Sequence, residues 1–199
     1  MNTILNSVLL CLTIASGLAA TAQTNKQVTQ VNGPEATVRS LYREVQNRAP
    51  SGLLDDANMR IFAHYLSKSL RRKIDLAKAC EKDWVRQNRG QVVKAPFAWS
   101  EFGLFSGANE RTSPGEFHIE SIRKTENGSF QVAVDFAYRP GDGPGSWRVT
   151  DHVIKEDGRF VVEDVLFPKE GPEDGSTLTG RLSEGCEGRR WVGFRQLSL

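Results

Sequence analysis

The chain is poor in the side chains on which most metal and nucleophile chemistry depends, with three His and three Cys among 199 residues. No HxxxH, CxxC or EF-hand spacing occurs, so neither a zinc site nor a calcium loop is expected, and no cofactor is implied. A phosphate-cradling glycine motif is also missing, since the run GDGPG at 141–145 sits between two strand patterns, where turn formation accounts for it. Excess charge of one sign is absent too: 26 Lys and Arg against 24 Asp and Glu leave a formal net charge of +2. That balance offers no basic face for nucleic acid. The longest apolar stretch, Ile4 to Leu18, is shorter than the ~20 residues a membrane-spanning helix needs.

That stretch instead reads as an export signal. Residues 1–22 carry no charged side chain and end in Leu18-Ala19-Ala20-Thr21-Ala22, an apolar region followed by an Ala-x-Ala cleavage pattern. A periplasmic or secreted protein is expected, with no stable membrane anchor once the signal is cleaved. The polar residues 23–32 read as a disordered lead-in, 33–186 as a single α+β domain, and 187–199 as a mobile C-terminal tail. Cleavage leaves Cys80 and Cys186 in an oxidising compartment. Cys80 also shares a helical face with Leu70, Ile74, Ala77 and Trp84, so a disulfide and a buried free thiol both remain open.

Three helices are expected first. Pro34 stands where a first turn tolerates proline, and Val38, Leu41, Tyr42 and Val45 follow at the spacing of one helical face. Met59, Phe62, Ala63 and Leu66 repeat that spacing, and a third run extends from Leu70 through Trp84. KAPFAWSEFGLFSG, at 94–107, fits neither helical nor strand period. So many aromatics on an irregular segment suggest a lid over a pocket or a plug in the core.

Four strands come next, in two hairpins. Asp157-Gly158, between WRVTDHVIKE and RFVVEDVLF, carries the composition of a two-residue turn, which needs positive φ at both central residues. Counting outward sets Glu156 against Arg159, Val153 against Val162, His152 against Glu163, Asp151 against Asp164 and Val149 against Leu166. Asn127-Gly128 gives a second turn, which sets Phe117 against Tyr138, Ile119 against Phe136, Ser121 against Val134 and Arg123 against Val132. Joining the hairpins by their apolar faces yields a four-stranded antiparallel meander, with Ser121, Val134, Asp151 and Asp164 in one row.

The expected site follows from that row. Two carboxylates placed directly opposite one another on an apolar face repel and require compensation: a proton on one of them, a bridging cation, or water. Arg123, on the same face, is the expected counter-charge. Tyr138, Trp147, Trp99 and Phe102 complete the candidate ligand-binding set. If the protein is an enzyme, Asp151 or Asp164 would serve as general base, with Tyr138 as a hydrogen-bond donor.

The order of elements, the helical segment LSKSLRRKIDLAKACEKDW, the aromatic KAPFAWSEFGLFSG, and the hairpin followed by GRLSEGC resemble a bacterial exported domain-of-unknown-function family of the nuclear-transport-factor-2-like, or cystatin-like cone, superfamily. The resemblance implies three N-terminal helices packed on a curved four-stranded antiparallel meander, closing a pocket. It also implies a choice among isomerase-like or cyclase-like enzymes, non-catalytic binding modules, and immunity proteins that neutralise toxins. The expected function is a non-catalytic binding or accessory domain for a small molecule or a partner protein. The alternative is a ketosteroid-isomerase-like or cyclase-like enzyme that uses the paired carboxylates.

Overall fold

A computed structural model describes residues 33–108, 114–138, 145–168 and 176–186, all within the compact unit Val31–Leu199. The expected signal at 1–22, the lead-in at 23–32 and the tail at 187–199 lie outside the described residues.

The fold is α+β. Helix α1 (Pro34–Arg48) begins at a proline and ends at Ala49, whose φ of 44° breaks the helical path. Its buried stripe is Val38, Leu41, Tyr42 and Val45. Each apolar side chain buried in this way contributes roughly 1.5 to 3 kcal/mol relative to an exposed one. Helix α2 (Asp56–Phe62) is capped by Asp55, which accepts a hydrogen bond from the Asn58 amide. Helix α3 (Lys68–Gln87) is capped by Ser67, whose hydroxyl accepts from the Leu70 amide, and it buries Leu70, Ile74, Ala77 and Cys80.

Four strands follow: β1 (Pro114–Lys124), β2 (Phe130–Tyr138), β3 (Ser146–Glu156) and β4 (Arg159–Leu166). They form one antiparallel sheet in the order β1-β2-β3-β4, and α1 lies across one face in contact with all four. A short helix, α4 (Leu178–Ser183), packs against α3 and β4. The free edge of β4 is covered at both ends. Ser67 N–H donates to Val162 O and Val162 N–H donates to Tyr65 O, while Phe167 N–H donates to Ser176 O. Cys80 and Cys186 are bonded, with Cα atoms 6.1 Å apart, which ties the end of the α4 segment to α3. The thiol pair left open by the sequence is therefore a disulfide here.

The turn at Asp157-Gly158 forms as expected, with φ of 49° and 79°. Glu156 faces Arg159, Ile154 faces Val161 and Val153 faces Val162. Beyond that point the expected pairing fails. The register shifts between Val153 and His152, so that Glu163 is an extra residue in β4; His152 faces Asp164, Asp151 faces Val165 and Thr150 faces Leu166. This is a β-bulge, and past it every β4 side chain lies on the face opposite to the one expected. Val165 and Phe167 are buried, whereas Leu166, expected on the apolar face, is 44% exposed.

The first hairpin departs in the same way. Its turn spans Thr125 to Ser129 rather than two residues, and Lys124 faces Phe130. Thr125 N–H donates to Ser129 O at 2.9 Å, and the Thr125 and Ser129 hydroxyls lie 2.6 Å apart, which stabilises the wider loop. A second bulge, at Glu120, separates the Ile119–Val134 pair from the Ser121–Ala133 pair. The apolar parity of β1 therefore changes from Phe117 and Ile119 to Ile122. In the next pairing Val132 faces Asp151 and Val134 faces Val149. The expected row of Ser121, Val134, Asp151 and Asp164 does not form.

Candidate functional site around Asp151

Asp151 is fully buried on the helix-covered face of β3, with Val132 and Val165 as its cross-strand neighbours. Its Oδ1 lies 3.1 Å from the Tyr42 hydroxyl, which α1 brings over the sheet, and its Oδ2 has no hydrogen-bond partner among the described residues. The same hydroxyl lies 3.4 Å from the Phe105 carbonyl oxygen. The rings of Phe136 and Phe117 pack on Tyr42 at 4.9 and 5.8 Å. Burial pushes the Asp151 carboxyl up to about 8, against the smaller downward pull of the Tyr42 hydrogen bond. Burial, reinforced by Asp151, also raises the Tyr42 phenol. At neutral pH the pair is therefore mainly a neutral acid beside a neutral phenol. This is the chemical alternative to importing a counter-charge into the core.

Asp164 is elsewhere and differently satisfied. Its Oδ1 accepts from the amides of Val165 and Thr179, both at 2.9 Å, and its Oδ2 accepts from the Thr179 hydroxyl at 2.6 Å. It fastens the first turn of α4 to β4. The expected opposed carboxylate pair is thus corrected by the Glu163 bulge, which carries Asp164 to the other face.

Arg123 is not the counter-charge either. The Glu120 bulge turns it to the face away from Asp151, where it is exposed and donates to Gln131. His152, expected opposite Glu163, faces Asp164 and places its Nε2 2.8 Å from the Ser129 hydroxyl. Tyr138 and Trp147 do meet, with ring centroids 4.8 Å apart, and the Trp147 indole donates to Ser106 O at 2.7 Å, whereas the Asp151 carboxyl is met by Tyr42.

The aromatic segment 97–108 fills the interior. Trp99 is buried and stacks on Phe97 at 4.6 Å, Phe105 is buried and stacks on Phe62 at 5.2 Å, and Phe102 packs beneath the Arg181 guanidinium. These residues form a plug, with Gly103 N–H bonded to Ala108 O and Gly107 N–H bonded to Gly103 O.

Sequence reasoning missed Tyr42 as a site residue. It was assigned to the apolar stripe of α1 by spacing alone, although a phenol in such a stripe needs a partner for its hydroxyl. A strand aspartate among valines was the signal that could have supplied one. A groove beside α3 was missed as well. Leu53 and Leu54, just before α2, and Val85 of α3 line a groove of about 560 Å³, with Asp55, Glu81 and Lys82 among its charged lining residues. Val85 is 56% exposed there. Among the described residues, no cluster of three His, Cys, Asp or Glu side chains is placed to hold a metal ion. No helix among them is long and apolar enough to cross a membrane. No family model, curated protein or solved structure matches the chain.

Proposed function

We propose that this chain is an exported, non-catalytic binding or accessory domain of the nuclear-transport-factor-2-like cone type, with a small molecule or a segment of a partner protein bound in the groove beside α3. An immunity-type inhibitor is the protein-ligand form of this reading. The observation that carries it is the groove itself, where exposed Val85 and half-buried Leu53 lie beside Asp55, Glu81 and Lys82. Concave apolar surface with a few polar groups is the usual setting for ligand recognition. The separation of Asp151 from Asp164 supports the non-catalytic reading, because it removes the paired-carboxylate base.

The test is native mass spectrometry of the full chain purified from its own periplasm, beside a Val85→Glu variant. A retained ligand or partner that the variant loses is the expected result. Retention by both, or by neither, overturns the assignment of the groove.

A second reading is favoured by Tyr42 and Asp151. A neutral carboxyl beside a phenol is the donor pair that stabilises an enolate or oxyanion in isomerase-like and cyclase-like enzymes. It ranks second because both residues are fully buried. An isomerase assay with a panel of β,γ-unsaturated ketones tests it: turnover that disappears in Asp151→Asn would move it to first place.

A further inference from the structure

The Tyr42 hydroxyl has one hydrogen and two acceptors within reach, Asp151 Oδ1 at 3.1 Å and the Phe105 carbonyl at 3.4 Å. Only one can be served by that hydrogen at a time, and the protonation state of Asp151 decides which. When the carboxyl is neutral and carries its proton on Oδ1, it donates to Tyr42, and Tyr42 donates onward to Phe105. When the carboxyl loses its proton to solvent, the phenol must turn to the carboxylate, since hydrogen bonds to an ion are the stronger ones. Phe105 O then loses its donor, and a buried carbonyl without a donor carries a free-energy cost.

We propose that Asp151, Tyr42 and the Phe105 carbonyl form a proton-controlled latch on the aromatic segment 97–108, closed when Asp151 is protonated and released when it ionises.

Among the described residues, the groups that face Asp151 leave the role to Tyr42. From α1 the titratable neighbour is Tyr42 itself, β2 and β4 present Val132 and Val165 at the paired positions, and the segment presents a carbonyl. Among the described residues, Tyr42 is the side chain that acts on the Asp151 carboxyl. Polar contacts that hold the segment near this point include the Phe105 carbonyl on Tyr42, the Ser106 carbonyl on the Trp147 indole, the bonds joining Gly103, Gly107 and Ala108, the Ala108 amide on the Ser106 hydroxyl, and a bridge from Gly103 to Ser51. Release of the first therefore transmits to the second, one residue along the chain. The latch is independent of what the groove beside α3 binds.

The test is a pH titration of the full chain by ¹H–¹⁵N NMR, following the Trp147 indole N–H and the Gly107 amide, with exchange protection corrected for intrinsic rates. In the natural sequence both signals should titrate together with a midpoint near 8. Protection of the Gly107 amide should fall about tenfold on the alkaline side, the counterpart of one lost neutral hydrogen bond. Asp151→Asn should hold both signals constant over the same interval, and Tyr42→Phe should uncouple them from the Asp151 titration. Should Tyr42→Phe fail to fold, Asp151→Asn decides the matter alone. A natural chain whose segment signals do not titrate, or an Asp151→Asn chain whose signals still do, overturns the latch.

Discussion

The two aspartates of the second hairpin show how differently one fold can satisfy the same side chain. Asp151 sits in a dry interior with one hydroxyl for company, and there the proton itself supplies neutrality. Asp164 sits at the margin of the sheet, where three donors converge on it, two of them amides, and it fastens the first turn of α4 to β4. Burial sets the state of the first carboxyl, and convergent donors satisfy the second. The difference is a matter of about one residue of register, since without the extra residue Glu163 the two would face each other across the strands.

The largest expected effect tests the Asp151 side of this comparison. Its folded value, about 8, lies above the ordinary 3.8 of an exposed aspartate. The folded chain therefore holds a proton that the unfolded chain has released at intermediate pH. Stability from this group is fully present below the unfolded value and is lost as pH rises towards the folded one. The expected slope is about 1.4 kcal/mol per pH unit, summing to roughly 6 kcal/mol across the interval. Urea denaturation at a series of pH values checks it, and Asp151→Asn should remove most of that slope.

The Asp164 side is sharpened next by cutting the covalent tie. The Cys80–Cys186 bond spans 106 residues of sequence, and replacing both cysteines by Ser should cost about 4 to 5 kcal/mol, read from the shift in the denaturation midpoint. Asp164→Ala should cost about 1 to 3 kcal/mol, because two amides and a hydroxyl lose their acceptor. Its cost should differ between the disulfide-bonded and disulfide-free proteins, since both features hold the α4 segment; a double-mutant cycle measures that coupling. The smallest effect belongs to Arg123→Ala. An exposed side chain bonded to Gln131 should change stability by no more than about 0.5 kcal/mol, and a loss of several kcal/mol in the same denaturation experiment would restore Arg123 as the core counter-charge.

Much of the architecture was legible in the pattern of residues. The stripe Val38, Leu41, Tyr42, Val45 marks α1, the stripe from Leu70 to Cys80 marks α3, and Asp157-Gly158 marks its turn, because local spacing and turn chemistry act within a few residues. Two of the three register shifts in the sheet were also written in the chain, though they were not read there. Apolar positions on the helix-covered face run 160, 162 and 165 in β4 and 167 just past it, and 117, 119 and 122 in β1; each change of parity marks an extra residue. Strict alternation was extrapolated through both, and the candidate site inherited the error. Val161 adds a trap, since it is buried although it belongs to the other face.

What the sequence determined by itself was the helix-then-sheet order, the positions of the apolar faces, and the presence of an acid among the valines of β3. These follow from periodicity and from turn residues, which act locally. The tertiary structure alone decided that Asp151 would meet Tyr42, that Asp164 would fasten α4 to β4, and that Cys80 would find Cys186. Each of those contacts joins segments far apart in the chain. Which groups meet at such distances depends on register, on helix placement and on the exclusion of water from the space between them.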